Sequence, residues 1–412
     1  MGASAALSLE DAAAHLAMIA GREHTFLREG AINVAPANAI EMAEILRFAS
    51  ANELAVTPAG GGTKAGWGNP VAAPVRLSTT RMNAVREHSW QDMTCTVEAG
   101  CTWAAMQTAL ARHGQMVALD PLWPDRATVG GVVAVNESGA LRLRYGGLRD
   151  LILGMTLVLA DGTIAKTGGK VVKNVAGYDL HKLMTGSYGT LAVIADVNFR
   201  LHPVEESACT WSATAQSASQ FEEPLRRLLD SHIGPSCVQM RADGNECTID
   251  IRAAAVRECL DEHALALARI FAPMKLREAG EEVWRARQDP FDRDWSVGMK
   301  ISSLPAEICA VLAGLQRDLT AEGLSFCAVA QANGLAAVAL NGSADAAMRV
   351  IEGLRVRLGG SGSVTVLRMP DEWRERLDVW GNAGSALPLM REIKSRFDPR
   401  RILNPGRFVG NI

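Results

Sequence analysis

What this chain lacks narrows its chemistry before any motif is read. Its eight cysteines, at 95, 101, 209, 237, 247, 259, 309 and 327, form no C-x-x-C pair, and none stands beside a histidine at zinc-finger spacing. Iron–sulfur clusters need closely spaced thiolates, so they find no ligand set here. The cysteines read as reduced, mostly buried thiols of a cytosolic protein. An excess of positive charge is also missing. Lys and Arg number 42 against 45 Asp and Glu, a net charge of -3, which excludes a phosphate-binding surface spread over the whole chain.

Long apolar runs are absent as well. Of the two most apolar stretches, 152–160 is too short to span a bilayer, and 324–340 holds Gln331, Asn333 and Gly334, which suit a turn. Glu10 and Asp11 fall where a signal peptide needs an uncharged core, so any membrane association is expected through a partner. The last absence is histidine: His263 is the final one, and residues 264–412 contain none.

What is present reads as α/β layering. At ~100–200 residues per domain, 412 residues predict two to four domains. Ser8 and Asp11 resemble a capping box. Met42, Ile45, Leu46 and Ala49 recur at helical spacing, and the spacing predicts a short buried strand over 54–57. Residues 94–98 read as a strand, with Thr102 capping a helix. Asp161-Gly162 joins two strands as a hairpin. Residues 191–201 alternate, with Ile194, Asp196, Asn198 and Arg200 expected to face outward. His202-Pro203 ends that strand and sets a domain boundary.

Residues 207–279 and 296–368 then repeat one architecture without repeating sequence. Each reads β-α-β-β-α-β, the ferredoxin-like pattern. Two such units predict one wide antiparallel sheet with helices on one face, and 281–294 reads as a solvated connector. From Met369 a Trp- and Pro-containing tail follows. The expected division is 1–205, 206–368 and 369–412, an α+β protein.

Three glycine-bearing clusters carry the chemistry. Pro58-Ala59-Gly60-Gly61-Gly62-Thr63-Lys64 follows a strand, where successive glycines let backbone N–H groups converge on a phosphate. It is neither G-x-G-x-x-G nor a Walker loop, so neither a Rossmann site nor an NTPase follows. Ala127-Thr128-Val129-Gly130-Gly131 comes after Asp120-Pro121. Residues 173–180 lead to Gly186-Ser187-Tyr188-Gly189-Thr190-Leu191. Any one of them alone is an ordinary loop.

Together, in this order and spacing, they resemble the FAD-binding domain of the vanillyl-alcohol-oxidase or PCMH type over residues 17–205. The run "GGKVVKNVAGYDLHKLMTGSYGTLAVI" at 168–194 is similar to the FAD-binding subunits of glycolate oxidase complexes, and "IKSRFDPRRILNPGRF" at 393–408 resembles that group's C-terminal signature, which folds back on the flavin domain. The resemblance implies a PCMH-type domain of two α+β subdomains with an antiparallel cap. It assigns 58–64 to the first pyrophosphate loop and 127–131, with Pro121, to a second segment against pyrophosphate and flavin. Gly186, Ser187, Gly189, Thr190 and Val193 fall along the adenosine and ribose. Non-covalent FAD is implied, since the first two clusters hold no histidine, and Ala59 departs from the polar or basic residue frequent there.

The same resemblance implies a larger FAD-containing subunit, an iron–sulfur subunit, and oxidation of glycolate, a 2-hydroxy acid, by the complex. The protein is expected in the cytoplasm, at the membrane's inner face only through that complex. Relatives that oxidise 2-hydroxy acids carry histidines late in the cap for a metal or for the substrate proton, and this chain has none. No metal site or catalytic residue is assigned. A self-sufficient D-2-hydroxy-acid dehydrogenase and a non-catalytic FAD-containing scaffold stand as alternatives. Arg285, Arg287 and Arg368 could orient a carboxylate, though salt-bridged surface arginine is the plainer reading. His88, His113, His232 and His263 read as structural or surface residues, and Trp284, Trp295, Trp373 and Trp380 as packing residues.

Overall fold

The computed structural model describes residues 7–169, 178–244, 246–292 and 294–412. Ser8 caps the first helix, Leu9–Ala20, by accepting from the Asp11 N–H. Asn38 caps Ala39–Ala51, whose Met42, Ile45, Leu46 and Ala49 are buried along one face. That face packs on a four-stranded sheet ordered Thr25–Arg28, Ala31–Val34, Val75–Ser78, Val56–Ala59. The last strand starts two residues later than the sequence predicts. The Leu54 N–H is taken by the Ala49 carbonyl (2.9 Å), which closes the helix end before the strand can begin.

A second sheet orders Val85–Ser89, Thr94–Glu98, Val193–Arg200, Ile152–Val158 and Ile164–Gly168, all antiparallel. Gly162 takes φ +82° in the hairpin, the left-handed conformation that favours glycine. Ile194, expected outside, is 7% exposed, because this strand is central and covered on both faces.

The cap is one eight-stranded antiparallel sheet. Its order is Arg277–Ala279, Ala208–Ala215, Glu246–Ala254, Cys237–Asp243, Ser325–Gln331, Leu335–Asn341, Val297–Ser302, Ser363–Arg368. The two β-α-β-β-α-β units meet where Gln239 pairs with Gln331 and Met240 with Ala330. Alternation sorts the side chains. Met240, Ile249, Ile251, Met299 and Val338 join the helices Glu222–Leu229, Arg257–Phe271, Ile308–Ala321 and Ala344–Leu358 in a single core. Gln239, Asp250, Lys300 and Gln331 fall at the alternate positions, and of these Asp250 is fully buried, paired with Arg241 (2.7 Å).

Residues 281–294 depart from expectation. Glu281–Gln288 is a 3-10 helix that carries Arg287 against the N-terminal domain, so it is a clamp rather than a solvated connector. The tail also turns inward: helix Leu387–Phe397 leads to a bridge between Leu403 and Val56. All eight cysteines are free. Among the described residues no helix is long and apolar enough to cross a membrane.

Candidate functional site

Strand Val56–Ala59 ends in the first glycine loop, and here the three clusters meet. A cleft of ≈ 830 Å³ is lined by Pro58 to Lys64, Thr128, Gly130, Gly131, Gly189 and Val193. The remaining expected residues do not line it. Ala127 and Val129 are core side chains that anchor the second segment. Pro121 lies on a separate outer groove with Trp284 and Arg285. Gly186, Ser187 and Thr190 shape the third turn: Gly186 has φ +86°, and the Thr190 hydroxyl donates to the Ser187 carbonyl (2.7 Å). Residues 173–177 of the third cluster lie outside the described residues.

The glycines earn their places by two different routes. Gly62 takes φ +72° with open space where a Cβ would stand. Gly61 and Gly130 have no positive φ. A Cβ on Gly61 would sit 1.8 Å from the Arg126 carbonyl oxygen, and one on Gly130 would sit 2.8 Å from Ala99 Cβ. They are glycine because the two loops approach each other and the strand end too closely for a side chain.

The cleft suits a diphosphate-bearing cofactor. Among the described residues, the backbone N–H groups of Gly60, Gly61, Gly62 and Thr63 donate to no protein oxygen, and on this half-exposed loop they stay open to an anionic acceptor. Asn404 Oδ1 and Thr57 Oγ1, both on the cleft's lining residues, are buried without a partner.

Sequence reading missed Tyr188, Asn404 and Arg407 as lining residues. Asn404 donates to the Tyr188 carbonyl (2.8 Å), and Arg407 donates to the carbonyls of Trp67 (3.2 Å) and Lys64 (2.9 Å). The tail therefore holds the first loop from more than 300 residues away. Burial pushes the Tyr188 phenol and the Cys95 thiol up, the latter to about 12, so neither ionises near neutrality.

Behind the first loop stands a buried charge cluster. Lys64 Nζ lies 2.7 Å from Glu137 Oε2, with both side chains about 5% exposed or less. Glu137 Oε1 accepts from the Leu122 N–H (2.5 Å) and faces Arg287 at 3.3 Å. Arg287 also donates to the carbonyls of Ser138 (3.0 Å) and Asp120 (2.6 Å). Its fork is thus filled by the N-terminal domain, while Arg285 is exposed and Arg368 donates to Pro290 and Phe291 carbonyls. Burial raises Asp120 despite the nearby Arg287. Across the cluster lies Lys300, whose amine burial lowers to about 8. No sequence signal marked it beyond its place on an alternating strand. Among the described residues, no group of three or more His, Cys, Asp or Glu side chains is placed to hold a metal. His181 is buried, with its imidazole held below the usual range by desolvation.

These features have known counterparts. The FAD binding domain family matches residues 31–168, and the C-terminal domain of FAD linked oxidases matches residues 381–408. Glycolate oxidase subunit GlcD of Bacillus subtilis is 30% identical over 261 residues, covering 63% of this chain and 52% of that one. The D-lactate dehydrogenase of Archaeoglobus fulgidus is 39% identical over 176 residues, covering 42% and 39%. The D-2-hydroxyglutarate dehydrogenase of Xanthomonas citri pv. viticola is 26% identical, covering 90% and 88%. The matches to the first two of these relatives span about half of their length or less.

Among solved structures, 4-ethylphenol oxidase from Gulosibacter chungangensis superposes with a TM-score of 0.75 at 14% identity, covering 98% of both chains. p-Cresol methylhydroxylase gives 0.71 at 14%, covering 97% and 96%. The chain shares its fold with these two structures and carries an FAD binding domain over residues 31–168. It is a flavoprotein with FAD as its cofactor and a C-terminal segment of the FAD-linked oxidase kind.

Proposed function

We propose that this chain is the FAD-binding subunit of a complex that oxidises glycolate to glyoxylate, passing electrons to a partner iron–sulfur subunit beside a larger flavin subunit. The observation that carries this reading is the pairing of a complete glycine cleft with a cap that has no histidine after His263. Relatives named as glycolate oxidase subunit and D-lactate dehydrogenase support 2-hydroxy acids as the substrate class.

When bound, FAD supplies two-electron oxidation. The chain supplies position. The N–H groups of residues 60–63 and the Thr128 hydroxyl are donors for the diphosphate, while Arg407 holds the first loop at Lys64 and Asn404 holds the third turn at Tyr188. Among the described residues no cysteine or histidine lines the cleft, which supports non-covalent FAD. Oxidising a hydroxy acid also requires a group to take the hydroxyl proton, a contribution of ~10²–10⁴-fold. After His263 the cap offers no histidine for it, and the Arg287 fork is committed to Glu137 and two carbonyls. This division assigns substrate chemistry largely to the larger subunit. The complex operates in the cytoplasm, against the membrane only through its partners.

The test is isolation from the native host under mild conditions. The preparation should be yellow, acid should release FAD, and a second flavin subunit and an iron–sulfur protein should travel with it. A folded, colourless chain unable to take up FAD, or one that travels alone, would overturn the reading.

A further inference from the structure

The open edges of β-sheets invite further strands, and folded proteins normally blunt them. Most edges here follow that rule. Along Val56–Ala59 the tail closes the ladder: the Val56 N–H donates to the Ile402 carbonyl (2.7 Å), and its carbonyl accepts from the Asn404 N–H (2.9 Å). Ser363–Arg368 is covered where the Val366 N–H donates to the Val379 carbonyl (2.8 Å). Val85–Ser89 is broken by a register shift and carries Arg86 and Glu87. Arg277–Ala279 is short and charged, and Ile164–Gly168 carries Lys166. Strand Thr25–Arg28 breaks the rule. Among the described residues it pairs only with Ala31–Val34, and it presents Phe26 at 53% and Leu27 at 44% exposure.

The hairpin fixes which main-chain groups point outward. The His24 carbonyl accepts from the Ala35 N–H (3.0 Å), so by alternation Phe26 and Arg28 bond to Asn33 and Ala31. Thr25 and Leu27 therefore turn their groups to the free edge. The Thr25 N–H folds back onto the Arg22 carbonyl, while the Leu27 N–H and C=O meet no protein partner among the described residues. A second copy running antiparallel matches these outward groups when the twofold axis falls on Phe26, Leu27 or Arg28. Centring on Phe26 sets Glu29 beside Glu23 of the copy, and centring on Arg28 sets two guanidiniums face to face; like charges directly opposite are unfavourable. Centring on Leu27 avoids both. Leu27 then opposes Leu27 of the copy and exchanges both main-chain bonds, Phe26 opposes Arg28 of the copy, and Glu29 opposes Thr25 of the copy. A guanidinium over a phenyl face is attractive. Its present contact with Glu29, 3.6 Å and largely exposed, is a surface pair that yields readily.

We propose that strand Thr25–Arg28 is a self-association edge, at which two copies of this chain pair antiparallel about Leu27 and merge their four-stranded sheets into one continuous sheet. None of residues 25–28 lines the glycine cleft, so the proposal is independent of the functional reading. A four-residue strand spans only about 14 Å. The contact is therefore small, and the dimer should be weak, with a Kd on the order of micromolar or above.

The test is sedimentation of the FAD-loaded full chain from about 1 µM to about 300 µM, where the dimer fraction should rise with concentration. Phe26→Lys sets an ammonium opposite Arg28 of the copy and should weaken association about tenfold or more. Phe26→Glu, which offers Arg28 a carboxylate, should keep the dimer, and Arg28→Glu added to Phe26→Lys should restore it. Under a mild oxidant Leu27→Cys should cross-link to its copy, because the paired Cα atoms fall within disulfide reach. Phe26→Cys, whose counterpart lies two residues out of register, should not, and wild type is the control for the native cysteines. Flavin absorption of each variant reports its folding. A monomer at every concentration overturns the proposal, as does a dimer that Phe26→Lys leaves intact at normal FAD content. Should Phe26→Lys fail to fold, the cross-link decides: a dimer without the Leu27→Cys product is equally fatal. A chain that stays monomeric alone, with residues 25–28 shielded from hydrogen exchange only in a larger assembly, assigns the edge to another protein and also overturns it.

Discussion

Lys394 Nζ lies 2.6 Å from Asp398 Oδ2, one helical turn away, and also donates to the carbonyls of Thr190 and Leu403 at 2.8 Å each. Asp398 in turn accepts from the N–H groups of Ile402 (3.0 Å) and Leu403 (2.8 Å). Both side chains are almost wholly buried, and desolvation lowers the Lys394 amine even though Asp398 pulls it back up. This single pair ties the C-terminal helix, the tail strand and the third glycine turn together. It sets where Asn404 meets the third turn at Tyr188 and where Arg407 meets the first loop at Lys64.

Breaking that pair on one side leaves an uncompensated buried charge, so Lys394→Met should cost ~3–5 kcal/mol. Denaturant unfolding would measure it, and FAD retention should fall in parallel. The double variant Lys394→Met with Asp398→Leu should recover part of the loss, since the orphaned carboxylate is gone.

Gly61→Val and Gly130→Val should each strip the cofactor. At Gly61 the new Cβ meets the Arg126 carbonyl oxygen, and at Gly130 it meets Ala99, so the loops must spread. Absorption bands after gel filtration would report FAD content. Wild-type flavin occupancy in both variants would show that these loops are not the cradle.

Lys300→Met should stabilise the protein near neutrality. Burial on folding lowers this amine from the ordinary lysine value of 10.5 to about 8. Below about pH 8 both folded and unfolded states are charged and the folded state bears the full desolvation cost; above about pH 10.5 neither is charged and the cost is gone. The gain, on the order of 1–3 kcal/mol, should therefore be constant below about pH 8 and shrink to nothing by about pH 10.5. Thermal melts of both proteins across that window check the sign. A gain that grows with pH would contradict it.

Arg287→Met removes the guanidinium that holds Glu137, Ser138 and Asp120 against the cap. The domains should loosen, giving a loss of ~2–4 kcal/mol and faster proteolysis of the 281–294 segment. Unchanged proteolysis would mean that Asn333, which donates to the Gly139 carbonyl (3.0 Å), and Arg144, which donates to the Gly234 carbonyl (3.2 Å), suffice as latches.

Much of this was legible in sequence because it is local. Helical spacing at Met42, Ile45 and Leu46, the Asp161-Gly162 and Asn333-Gly334 hairpins, and two β-α-β-β-α-β units all depend on near neighbours in the chain. The first loop is readable for the same reason. What sequence did not disclose is long-range. Arg407 completes a loop 340 residues earlier. Glu137 fills the Arg287 fork through a contact that no spacing encodes. Lys300 looks like any polar residue on an alternating strand until the N-terminal domain covers it. The reason for glycine at 61 and 130 also lay in the packing of one loop on another rather than in backbone φ.

In the division of labour proposed above, this chain holds FAD but does not oxidise a 2-hydroxy acid alone. Anaerobic stopped-flow of the isolated, FAD-loaded chain with glycolate and with D-lactate tests it most directly. Neither acid should bleach the flavin appreciably, and substrate-dependent electron flow to a dye should appear once the larger flavin subunit and the iron–sulfur subunit are added. Fast, stoichiometric bleaching of the isolated chain by either acid would contradict it.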